Sequence, residues 1–130
     1  MLGSILFAIA VFALLSMLAF FIAKHAPAGQ YKSLEYTSLP GVMTPNTLRS
    51  KDAWVKAHEA TSSGFTLLAV YFSTAGAFFI GLLLYDLNLN HSLVFGLLVL
   101  LGIVGFAALV IIGDRTAAKF NRSTSSQGLD

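Results

Sequence analysis

Phe65–Leu84 reads FTLLAVYFSTAGAFFIGLLL, a run of 20 residues without a charge. About 20 apolar residues, rising 1.5 Å each, cross a hydrocarbon core roughly 30 Å thick, so the run predicts a transmembrane helix. Working outward, Leu93–Ile112 is a second such run and Leu2–Ala23 a third, and none of the three holds Asp, Glu, Lys, Arg or His. HAPA at His25–Ala28 faintly resembles a secretion cleavage site. The run before it is longer than a signal core and has no basic residue ahead of it, so a retained helix is expected. Composition agrees: charged residues are 11% of the 130-residue chain, against about 25% in a soluble domain. The expected fold is an all-α membrane protein, a single membrane domain over residues 1–130 with spans at 2–23, 65–84 and 93–112. Between and after them lie a polar loop at 24–64, a short turn at 85–92 and a tail at 113–130.

The basic residues give this layout a direction. Lys24, Lys32, Arg49, Lys51 and Lys56 lie in residues 24–64, and Arg115, Lys119 and Arg122 lie after Ile112. Three crossings place those two segments on one side, and together they hold all 8 Lys and Arg. The positive-inside rule then puts both in the cytoplasm, with the N-terminus and the 85–92 turn outside.

Composition and pattern also exclude functions. Pumps and ion paths need ionisable groups at membrane depth, and these spans have none. A net charge of +2 without a basic stripe gives no reason to expect nucleic acid as a partner. The chain has no cysteine, hence no disulfide, thiol catalyst or thiolate metal site. His25 and His58 lie on one side by this topology and His91 on the other, so they do not form one metal site. Neither a nucleophile elbow, a phosphate loop nor a paired-carboxylate motif occurs. A non-enzymatic protein without metal or cofactor is expected, with the lipid bilayer as its medium.

Small residues mark helix contacts. Ser73, Ala77 and Gly81 recur every four residues in the middle span, and Gly102 and Gly105 offer close-packing points in the third. Such spacing lets backbones approach, either within the bundle or toward another subunit.

The polar loop is patterned as well. Pro40 and Gly41 interrupt the chain and Pro45 disfavours helix at Thr44. Ser50 suits an N-cap, with Asp52 in the first turn. The spacing predicts a short helix over about 51–62, lying at the membrane surface and turning at Ser62–Gly64 into the second span. Trp54 would anchor it among headgroups, and Trp54, Ala57, His58 and Thr61 share one face.

Read together, Gly41-x-x-Thr44-x-x-Thr47-x-x-Ser50-x-x-Ala53-Trp54-x-x-Ala57-His58, set just before a span, resembles the signature of the SdpI family of bacterial membrane proteins. One position departs, since Met43 stands where the family has Arg. A thioether lacks the guanidinium's fork of donors for carboxylate or phosphate. The resemblance implies a multi-pass protein of the bacterial plasma membrane, with residues 41–61 as its working surface. Named family members confer immunity to a secreted peptide toxin and hold a transcriptional repressor at the membrane, so toxin and repressor are the implied partners. The alternative is a small accessory subunit of a larger membrane complex, such as a respiratory assembly.

Overall fold

The computed structural model describes residues 2–27 and 41–128. The described residues form three α-helices and no strand: α1 Leu2–His25, α2 Lys51–Tyr85 and α3 His91–Ser126. Each is long and apolar enough to cross a membrane. At 1.5 Å per residue, α2 and α3 are each more than about 50 Å long, well beyond a hydrocarbon core of roughly 30 Å.

Local chemistry sets the helix ends. The Ser50 hydroxyl accepts the Ala53 N–H at 3.0 Å and starts α2. Asp86 closes α2 in the left-handed conformation at φ 49°. The Asn90 side chain then accepts the Leu93 N–H at 3.0 Å and opens α3. Helices α2 and α3 therefore run antiparallel across a five-residue turn, 86–90.

Helix α2 is the central element and packs on both others, whereas α1 and α3 barely meet. Its buried positions, among them Trp54, His58, Thr61, Phe65, Leu68, Phe72, Ala75, Phe79 and Leu82, follow helical spacing without a break. Phe12 of α1 lies at the centre of an aromatic cluster, its ring centroid 6.1 Å from Phe72, 5.8 Å from Phe79 and 5.5 Å from Phe95.

Two expectations are corrected here. The short surface helix is the first part of α2, which passes through Ser62–Gly64 without a turn. Of the residues expected to break it, Ser62 and Gly64 make contacts with the neighbouring helices, and the threonines on either side bond within α2. Thr61 and Thr66 hydroxyls donate to the Ala57 and Ser62 carbonyls, and Ser62 donates across to the Ala23 carbonyl of α1 at 3.0 Å. Gly64 lets the Leu109 side chain of α3 occupy the place of a Cβ. The segment after Ile112, expected as a polar tail, is the last part of α3 as far as Ser126. Ala117 of that part packs with Ala53 and Ala57 of α2, with Phe120 beside them. The two long helices thus continue, paired, beyond the apolar runs.

Candidate functional site

The loop before α2 closes over the end of the bundle. Thr44 and Thr47 exchange hydrogen bonds, each hydroxyl accepting the other's backbone N–H, at 3.2 and 2.9 Å. The Thr47 hydroxyl donates to the Val42 carbonyl at 2.7 Å. Leu48 N–H reaches the Thr44 carbonyl at 3.0 Å. The hydroxyls at this three-residue interval therefore serve the loop's own backbone, as Ser and Thr commonly do.

Trp54 and His58 hold the loop down. The His58 Nε2 accepts the Val42 N–H at 2.9 Å, and its Nδ1 lies 2.8 Å from the Trp54 carbonyl. An accepting Nε2 fixes the neutral tautomer with the proton on Nδ1, which donates to that carbonyl. Burial pushes the His58 pKa below its ordinary 6.5, opposed by the bond to the Trp54 backbone. The two rings pack with centroids 4.0 Å apart. Trp54 Nε1 donates to the Ala26 carbonyl at 2.9 Å, tying in the end of α1.

These contacts correct the reading of Trp54 as a headgroup anchor and place His58 inside with it: the two are 0% and 1% exposed. Gly41 lies over both rings, and a Cβ there would come within 2.5 Å of His58 Nε2 and 3.0 Å of Trp54. No side chain fits that place.

The far side of the loop engages α3. Asn46 Nδ2 donates to Asp114 Oδ1 at 3.0 Å, and Asn121 Nδ2 donates to the Asn46 carbonyl at 3.0 Å. The Thr44 hydroxyl first, and then the Asn46 amide, hold the Asp114 carboxyl below its usual range. Val42, fully buried, sits against Gly113, where a Cβ would meet Val42 at 3.2 Å.

The structure thus brings Gly41, Thr44, Thr47, Ser50, Trp54 and His58 into one cap, while Ala53 and Ala57 face Ala117 of α3. Sequence reasoning missed Ala26, Val42, Asn46, Gly113, Asp114 and Asn121. The polar pair Asn46 and Asn121 was the available signal, though their partners lie 68 and 75 residues away in sequence.

Chemically, the cap is a clamp. The Thr47 and Ser50 hydroxyls are spent on backbone groups, and the Thr44 hydroxyl on the Thr47 N–H and on Asp114. Among the described residues no group of three or more His, Asp or Glu is placed to hold a metal. Outside it, Met43 is 48% exposed, and Pro45, Arg49, Lys51 and Lys56 also face outward.

A model of the SdpI/YfhL protein family matches residues 34–113. The chain belongs to the SdpI/YfhL family. The match takes in the cap, all of α2 and the apolar part of α3, and ends at Gly113, against which Val42 packs. Residues 34–40 of it lie outside the described residues. Met43, where the resemblance led Arg to be expected, is exposed, and none of the clamp's hydrogen bonds described above uses its side chain. Neither the curated proteins nor the solved structures compared with the chain give a match.

The small residues divide. Gly102 abuts Phe72 and Gly105 faces Leu68, so both serve the contact between α2 and α3. The Ser73 hydroxyl pairs with that of Ser16 on α1 at 2.5 Å, and Ser16 also lies 2.9 Å from the Ala69 carbonyl. Ala77 is exposed, and the space beside Gly81 is open.

Proposed function

We propose that this SdpI/YfhL protein is a non-enzymatic membrane protein of the immunity and signalling kind, with the outer rim of the cap as its working surface. The clamp carries this reading. The loop bonds α2 at His58 and α3 at Asp114 and Asn121, and it covers Trp54, which bonds Ala26 at the end of α1, so a contact at its rim bears on all three helices. Such a device suits the transmission of an event between membrane and cytoplasm. A bare connection between helices requires none of it.

The rim comprises Met43, Pro45, Arg49 and Lys56, with Trp54 and His58 beneath it as support. Its partner is a peptide toxin in the membrane or a cytoplasmic repressor, as for named family members. The distribution of all eight basic residues supports a cytoplasmic rim and tail. An impermeant thiol reagent tests the orientation: Asn90→Cys is labelled in intact cells and Lys56→Cys only after lysis. Labelling of Lys56→Cys in intact cells overturns it.

Function is tested by expressing the chain in a bacterium sensitive to a secreted membrane-active peptide and scoring survival against membrane abundance. Protection that is lost in a Met43→Glu/Arg49→Glu variant at unchanged abundance supports the rim. Absence of protection by the wild-type chain, together with an undisturbed repressor-controlled reporter, sinks the immunity and signalling reading.

A second reading, an accessory subunit of a larger membrane complex, is favoured by the open seam at Ala77 and Gly81. Migration with a large complex in mild detergent supports it, and a free small oligomer opposes it.

A further inference from the structure

The gap between α1 and α3 is closed at both ends and open at its side. At one end, Phe7 and Phe12 of α1 meet Phe95 of α3, with centroids 6.0 and 5.5 Å apart. At the other, the cap is wedged in, with Trp54 bonded to Ala26 of α1 and Val42 seated on Gly113 of α3. Between these plugs the two helices part and leave a cavity of about 410 Å³. Phe65 and Phe72 of α2 form its back, Ala19 and Ile22 of α1 one wall, and Gly102 and Ile103 of α3 the other. Every lining side chain is apolar. Ile103, 58% exposed, forms the lip.

We propose that this cavity is a binding site for one acyl chain of a bilayer phospholipid, entering sideways between α1 and α3. Three physical points select that occupant. Water needs two to four polar partners to reside in a cavity, and this one offers none. The side opening lies at the depth of the apolar runs, where the surrounding medium is hydrocarbon. The length then separates a chain from a helix. The walls run from Leu15 to Ile22, about 10 Å at 1.5 Å per residue, with a plug at either end. A transmembrane helix needs roughly 30 Å. A stretch of linear chain fits between the plugs, and a fourth spanning helix does not.

The site lies apart from the cap's rim, and this inference does not depend on the immunity reading. A bound chain would touch Ile22 and Phe65, one to two turns from the residues that the cap clamps, and would brace the α1–α3 gap beneath it.

The test uses the full chain in detergent micelles, with a dipalmitoyl phosphatidylethanolamine as the probe and native mass spectrometry as the readout. Wild type should retain one lipid per chain. Ala19→Phe, which fills the cavity from its wall, and Ile103→Trp, which closes its lip, should each lower retention at least tenfold. Ala13→Phe, on the opposite face of α1, should retain the lipid as wild type does. If Ala19→Phe does not fold, Ile103→Trp decides alone. Failure of wild type to retain lipid, equal retention by the filled variants, or equal loss in Ala13→Phe overturns the proposal. Disulfide-linked dimers of Ile103→Cys in vesicles also overturn it, because a second copy would then cover the lip; with no native cysteine, that bond can form only at the introduced site.

Discussion

The two connections between helices differ in what they are made to do. The turn between α2 and α3, 86–90, is exposed and settles its own needs: Asp86 supplies the left-handed residue, Leu89 N–H bonds the Leu87 carbonyl at 2.9 Å, and Asn90 caps the next helix. Beside it, His91 Nε2 is buried with no hydrogen-bond partner among the described residues. The segment 41–50 is longer: it bonds His58 of α2 and Asp114 and Asn121 of α3, and it covers Trp54, which in turn bonds Ala26 at the end of α1. A connection that only has to reverse the chain tolerates substitution. One that locks three helices does not, because each buried polar group there depends on a particular distant partner.

Breaking the lock at its largest part gives the largest effect. Trp54→Ala removes a fully buried ring and the bond to Ala26, and should cost about 3–5 kcal/mol, as large-to-small core changes do. Tyr85→Ala, at the exposed end of α2 beside the turn, should stay within about 0.5 kcal/mol. Unfolding of both variants in mixed micelles, followed by circular dichroism, makes the comparison. Equal losses would erase the distinction between the two connections.

Next comes Thr47→Val, nearly equal in shape but without the hydroxyl. It strands the Val42 carbonyl and the Thr44 N–H and should cost about 1–3 kcal/mol. The same unfolding titration reads it. A loss below about 0.5 kcal/mol would mean that water replaces the hydroxyl and that the cap is looser than its geometry.

The clamp should also respond to acid. Folded His58 resists protonation because it is buried, whereas the unfolded chain takes up the proton near its ordinary 6.5. The unfolded state therefore binds more protons, and stability falls as pH drops below about 6.5 toward the lowered folded value. A charged ring would also turn an Nε2–H against the Val42 N–H. Asp114 acts in the same direction at lower pH, since its carboxyl is held below the usual range by Thr44 and Asn46. Unfolding titrations from pH 8 to 5 should show this decline in wild type and a flatter profile in His58→Gln, whose amide oxygen can still accept from Val42. An unchanged slope would separate His58 from the pH response.

Helix starts give the smallest effect and sharpen the comparison. Ser50→Ala and Asn90→Ala each remove one cap bond and should cost about 1 kcal/mol. Beyond that local loss, Ser50→Ala should increase proteolysis within 41–50, since Trp54 lies one turn into the helix that Ser50 starts. Asn90→Ala should leave that segment protected. Equal protection in both would place the cap's order in Trp54 and His58 alone.

Much of this was legible in the residues. The three apolar runs gave the helices, because a charge-free run of about 20 residues has one stable arrangement in lipid. Ser50 marked the start of α2 through its own hydroxyl. Thr44 and Thr47 could be read as partners of nearby backbone groups, since both ends of such bonds lie within five residues. The Gly41-to-His58 pattern led to the family. The misreadings share a cause. Ser62–Ser63–Gly64 looks like a turn by propensity, yet the Ser62 hydroxyl bonds the Ala23 carbonyl of α1 and Gly64 admits Leu109, so packing overrode the local signal. Trp54 looks like a headgroup anchor because the type often is one. Only its contacts with Ala26 and Gly41 show it inside.

By itself, then, the sequence determined the number of membrane-spanning helices, their apolar lengths and the family, all set by local composition and short-range spacing. Tertiary structure decided that α2 and α3 run on past their apolar parts as a pair, and that the loop folds inward over Trp54 and His58. It also decided that α1 and α3 stand apart around a cavity. The physical reason is that these outcomes rest on contacts such as Asn46 with Asp114, Ala26 with Trp54 and Val42 with Gly113, whose members are far apart in the chain and carry no signal of one another until the helices have packed.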